Sequence, residues 1–126
     1  MYLKALISLE ILNLLIIVIA VPLIFKLIPP NYWYGFRIKE TINDKKIWYL
    51  VNEFFGWGMA ISAIISMVII LFLFNYQYLP PILYMNINIA ILLIPQIITL
   101  LFTISYLRYI VGIEKDNVNK KENNNK

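Results

Sequence analysis

An all-α integral membrane bundle is the fold class this sequence predicts, and three observations predict it. Apolar stretches run from Ala5 to Ile28, Gly58 to Phe74 and Ile82 to Leu107, each near or above the roughly 20 residues that cross a bilayer core. Hydrophobic residues make up 61% of the 126-residue chain and charged residues only 14%, with a mean hydropathy of +0.74; a soluble domain of this size could not hide so much apolar surface from water. Most of the charges lie in the segments between and after the stretches. Three transmembrane helices follow, with a fourth, interfacial helix argued below.

Composition also excludes chemistry. Cysteine and histidine are both absent, which removes disulfides, the commonest metal ligand and the usual base near neutral pH. No nucleophile–base pair, phosphate-cradling glycine loop or metal-ligand cluster stands in the sequence. The expectation is a non-enzymatic protein without cofactor or metal. The net charge of +4 suits anionic headgroups better than direct contact with nucleic acid, because the basic residues flank the apolar stretches.

Helix 1, Ala5 to Ile28, reads as a retained transmembrane helix: Glu10 interrupts its apolar run, and no small-x-small cleavage site follows. Pro22 predicts a kink near Val18 to Pro22, and Pro29-Pro30 ends the helix. A polar stretch, Asn31 to Lys46, follows with Gly35 as its turn residue. Thr41-Ile42-Asn43-Asp44 has capping-box spacing, with Asn43 as an alternative cap. A single straight helix from Asn43 to Phe74 would be about 48 Å long, well beyond the bilayer core; a long, tilted helix 2 with its first turns in water is the alternative to a division. Ile47, Leu50, Val51, Phe54 and Phe55 form one apolar stripe, opposite Lys45, Lys46, Tyr49, Asn52 and Glu53. The pattern predicts an amphipathic cytoplasmic helix over 43–55 lying in the interface, Trp48 and Tyr49 at headgroup depth, and a bend at Gly56 and Gly58 into helix 2.

In helix 2, Gly58, Ser62 and Ser66 make a small-residue ridge for a close neighbour. The loop Asn75-Tyr76-Gln77-Tyr78-Leu79-Pro80-Pro81 carries tyrosines suited to an interfacial belt. Helix 3 holds Pro95 at mid-span, and Asn88, Gln96, Thr99 and Thr103 recur on one face, which is predicted to look inward. Residues 1–113 thus form the membrane domain, and 114–126 read as a disordered cytoplasmic tail.

Orientation follows from Lys and Arg. The first loop with its flanks holds Lys26, Arg37, Lys39, Lys45 and Lys46; the C-terminal side holds Arg108, Lys115, Lys120, Lys121 and Lys126; the second loop holds none. The prediction is N-terminus outside, first loop and C-terminus cytoplasmic. Within the membrane, Glu10 and Asn13 share a face and could bind a cation, a proton or a partner; the simpler alternative is that Glu10 pairs with Lys4, or is protonated and hydrogen-bonded to polar residues of helix 3. Outside it, Arg37 could fork onto Glu53 or Glu40.

Taken as one ordered string, Ile28 to Ala63 resembles the SdpI family of membrane proteins, whose named member confers immunity against a secreted peptide toxin. The string comprises Pro29-Pro30-Asn31, Gly35 with Arg37, Thr41, and then Trp48, Asn52 and Gly56. Two positions depart from it: Trp57 stands where a basic residue is common, and Ala60 or Ala63 where a second glycine is expected. The resemblance implies a structured cytoplasmic-face site built from Pro30, Asn31, Gly35, Arg37, Thr41, Trp48, Asn52 and Gly56, in a prokaryotic cell membrane. Its implied partners are a membrane-active peptide toxin or a cytoplasmic transcriptional repressor. The competing reading is a small transport or channel component, a homo-oligomer whose path is lined by Glu10, Asn13, Gln96 and Thr99.

Overall fold

A computed structural model describes residues 2–75 and 78–124. Tyr76, Gln77 and Lys126, invoked above for the aromatic belt and the charge count, lie outside the described residues. The described residues form four helices: α1 (Tyr2–Ile24), α2 (Lys39–Asn43), α3 (Lys45–Leu73) and α4 (Pro81–Asn124). Three of them, α1, α3 and α4, are long and apolar enough to cross a membrane.

The first helix stops four residues short of its expected end, and prolines are not the cause. Lys26 takes a left-handed backbone, φ +57°. The Leu27 N–H bonds back to the Pro22 carbonyl at 2.9 Å and the Lys26 N–H to the Leu23 carbonyl at 3.1 Å. That paired closure satisfies helix-end carbonyls and turns the chain out of the helix. Both Pro22 and Pro95 lie inside continuous helices.

The interfacial helix and its bend are not formed. Instead α3 runs unbroken through Gly56 and Gly58. Its expected lipid-facing stripe has protein partners: Ile47 and Val51 are buried with Phe36 and Leu107, and Phe55 packs against them. Trp48, expected among the headgroups, has 0% exposure. The glycines serve close approach rather than bending. A Cβ on Gly56 would stand 3.1 Å from the Ala20 carbonyl oxygen of α1, and one on Gly58 would stand 2.5 Å from Thr99 Cγ2 of α4. Asp44 caps α3, accepting from the Lys46 and Ile47 N–H groups at 2.8 and 3.0 Å. Neither Thr41 nor Asn43 holds that position.

α3 is the central element, packing on α1 along one side and on α4 along another. Towards its C-terminal end, Ile70 meets Leu9 of α1 and Leu92 of α4. The small-residue ridge faces α4 as expected: Ser66 Oγ donates to the Ile91 carbonyl at 2.8 Å, and Ser62 Oγ lies 3.3 Å from Thr99 Oγ1. The inward face of helix 3 is also formed, with Asn88, Thr99 and Thr103 buried. Most large side chains of α1, such as Ile11, Leu14 and Val18, are exposed on the protein surface, as lipid-facing residues are.

α4 continues through residues 114–124, which were expected to form a structureless tail. No proline or glycine follows Gly112 in that span, and its Glu and Lys residues are good helix formers. Lys46 reaches Glu114 at 3.6 Å, an exposed pair worth little by itself.

Candidate functional site

Residues 25–38 cross from α1 to α2 and fold onto the first turns of α3, and seven of the eight motif residues either build or receive this loop. Asn31 shapes its first half. The Asn31 Oδ1 accepts the N–H groups of Trp33 and Tyr34 at 2.8 and 2.7 Å, while its Nδ2 donates to the Pro29 carbonyl at 2.8 Å. An asparagine suits this because its amide mimics a peptide unit and holds a turn locally. Pro30, between these partners, is partly buried.

Asn52 fastens the second half. Nearly buried on α3, it accepts the Phe36 N–H through Oδ1 at 2.6 Å. Its Nδ2 donates to the Trp48 carbonyl at 3.0 Å and reaches the Phe36 carbonyl at 3.3 Å. Gly35 makes that approach feasible. Its φ is +94°, and a Cβ there would collide with the Asn52 Oδ1; only glycine takes both conditions without strain. Thr41 completes the clamp from α2. Its hydroxyl oxygen accepts the Ile38 N–H at 3.0 Å and shares its proton between the carbonyls of Phe36 and Ile38, at 3.0 and 2.9 Å.

Trp48 and Gly56 set the depth at which the loop starts. The Trp48 Nε1–H donates to the Ile28 carbonyl at 2.8 Å, so a buried indole finds its required partner in the loop backbone. Gly56 lets α1 lie against α3 just before the chain turns out of the helix. Lys26 then pairs with Glu53 at 2.9 Å. That pair leaves the expected fork between Arg37 and Glu53 unformed, and Arg37 does not pair with Glu40 either. Instead the exposed Arg37 donates through Nη1 to the Tyr32 carbonyl, closing the loop on itself.

The outward side of the loop is aromatic. Trp33 is 89% exposed and Tyr32 71% exposed, held there by backbone that is tied from beneath. Tyr34 turns inward and donates its hydroxyl to the Ile19 carbonyl of α1; burial pushes its phenol pKa up from the ordinary value of 10.0. The aromatic set Tyr32, Trp33, Tyr34, Phe36 and Trp48 stands out in the sequence as a recognition surface or a loop anchor, but the Lys26 turn and the Ile28 carbonyl do not. A lysine in the left-handed region carries no residue-type signature, and the carbonyl is a backbone atom.

Two of the four intramembrane polar residues have partners on α3. Thr99 donates to the Gly58 carbonyl at 3.2 Å and Gln96 lies 3.5 Å from the Met59 carbonyl, so both are engaged with α3. Glu10 lines a groove beside Met67 and Leu71, roughly 12 Å further along α3. Asn13 is completely buried, and neither its amide nor the Glu10 carboxylate has a hydrogen-bond partner among the described residues. Glu10 does not pair with Lys4.

Comparison with known proteins adds one positive finding. The model of the SdpI/YfhL protein family matches residues 27–107, a span that opens within the loop and ends where α4 packs on α3. No curated protein and no solved structure matches the chain significantly.

Proposed function

The chain belongs to the SdpI/YfhL protein family, and from that membership we propose that it is a non-enzymatic immunity protein of a prokaryotic cell membrane, acting by binding. The observation that carries the reading is the clamped loop. Side chains of Asn31, Thr41, Trp48 and Asn52 satisfy its backbone from below, while Tyr32 and Trp33 project from it. A loop held this firmly presents its aromatics with little further ordering when a partner arrives, which favours binding. Rigid aromatic side chains are also the usual anchors of protein interfaces.

The basic flanks of the loop and the basic end of α4 support a cytoplasmic position for this face. In that position its partner is a cytoplasmic regulator, of which a transcriptional repressor held at the membrane is the favoured kind. The regulator would respond to a membrane-active peptide toxin met by the helices.

The test is protection. Cells sensitive to a secreted membrane-active peptide are transformed with the parent chain or with a Tyr32→Ala, Trp33→Ala double variant, at matched membrane levels. The parent is expected to raise the lethal dose about tenfold, and the double variant to lose most of that gain. Absence of protection by the parent, or full protection by the double variant, contradicts the proposal.

A further inference from the structure

The apolar run of α4 ends at Leu107, and Arg108 is the first charge beyond it. Lys115 stands two helical turns further on, on the same face and about 10 Å along the axis. Both cations are exposed, and neither forms an ion pair among the described residues. Between them lies Gly112, where a Cβ would meet nothing within 4 Å, so the two charges flank open space. That space belongs to a groove of about 370 Å³ between α4 and α2, floored by Ile38, Ile104, Leu107 and Val111 and closed on its far rim by Glu40. Towards the membrane centre the same face of α4 continues through Leu101 and Ile97, both more than half exposed. An apolar strip therefore leads from the charged groove into the bilayer.

We propose that this groove holds the headgroup of a phosphatidylglycerol, its phosphate lying over Gly112 between Arg108 and Lys115. Charge complementarity selects that occupant. The rim carries two cations and one carboxylate, a surplus of one positive charge that a single phosphodiester cancels. A zwitterionic head would leave the surplus standing, and the two phosphates of cardiolipin would exceed it. The Arg108 guanidinium can fork onto two phosphate oxygens while Lys115 adds a point charge. Glu40 accepts from the hydroxyl groups of the glycerol head, which a plain phosphate lacks. Depth also favours a lipid over free phosphate. Basic side chains just outside a membrane span meet anionic headgroups, and acyl chains hanging below the phosphate would cover Leu101 and Ile97. The site uses none of the loop aromatics, so it stands or falls separately from the immunity reading.

The full-length chain in detergent is titrated with phosphatidylglycerol, phosphatidylethanolamine, cardiolipin or inorganic phosphate, and native mass spectrometry counts the lipid retained. The parent is expected to hold one phosphatidylglycerol about tenfold more tightly than phosphatidylethanolamine, and inorganic phosphate is expected not to displace it. Gly112→Leu, which fills the open space and keeps every charge, is expected to lose that preference, as is the Arg108→Gln, Lys115→Gln double variant. Lys120→Gln with Lys121→Gln removes the same charge from the same helix outside the groove, and is expected to leave the preference intact. Glu40→Lys is expected to move the preference to cardiolipin, a gain that misfolding could not produce. Five results would each overturn the proposal: equal retention of the glycerol and ethanolamine lipids by the parent, displacement by phosphate, an unaltered preference in Gly112→Leu, an equal loss in the Lys120 and Lys121 variant, or no shift in Glu40→Lys.

Discussion

A side-chain amide can imitate a peptide group, and Asn52 uses both of its ends to do so. Its oxygen takes the Phe36 N–H while its nitrogen serves the carbonyl of Trp48. Replacing Asn52 with Leu keeps the bulk but strands a buried N–H, a loss of about 1–3 kcal/mol. A lower thermal midpoint in detergent, together with proteolysis within 25–38, would register it. Gly35→Ala is expected to be at least as damaging, since a left-handed backbone costs a side chain about 1–2 kcal/mol before the collision with Asn52 is counted. Tyr34 adds a pH dependence. Burial raises its pKa above 10.0, so the unfolded chain ionises first as pH rises. The stability it contributes is therefore complete below about pH 10 and is lost through the folded-state pKa above it. Tyr34→Phe is expected to soften the alkaline fall of the thermal midpoint while leaving the neutral range flat. Several of these residues were legible in the sequence as an ordered string, but their partners were not. Arg37 looked like half of an ion pair, because spacing reveals charge and not the Tyr32 carbonyl that the guanidinium meets.

At the scale of elements, α3 is where pattern and structure part. Its first turns carry an apolar stripe, and periodicity alone cannot say whether such a stripe faces lipid or protein. Here the stripe is covered by Phe36 from the loop and Leu107 from α4, both remote in sequence. Glycines spaced as Gly56 and Gly58 are equally ambiguous between a bend and a close contact. Spin labels at the exposed positions Lys46 and Leu71 separate the two outcomes. A continuous helix puts 25 residues between them, about 37 Å, whereas a right-angle bend at Gly56 would shorten this to about 27 Å. The first value is expected. Gly56→Val is expected to push α1 away from α3, because its Cβ would meet the backbone of Ala20 and Ile24. Small-residue contacts of this kind hold membrane helices together, so the variant should aggregate or lose its thermal transition in detergent. By contrast, the three long helices and the inward polar face of α4 were plain from length and spacing. The end of α1 was not, since a lysine in the left-handed region leaves no mark in the sequence.

For the whole molecule, the account depends on three crossings that leave the clamped loop and the end of α4 on one side. α4 spans 44 residues, about 66 Å and twice the hydrocarbon thickness, so its charged end stands clear of the bilayer beside the loop. Lys46 and Glu114 bring the end of α4 against the first turn of α3, onto which the loop folds. The chain's lack of cysteine makes the decisive measurement clean: single-cysteine variants at Asn75, Trp33 and Asn119, probed with a membrane-impermeant maleimide. In intact cells the label is expected to reach Asn75→Cys alone, and to reach Trp33→Cys and Asn119→Cys only after the membrane is opened. Labelling of Asn119→Cys or Trp33→Cys from outside intact cells would contradict the account.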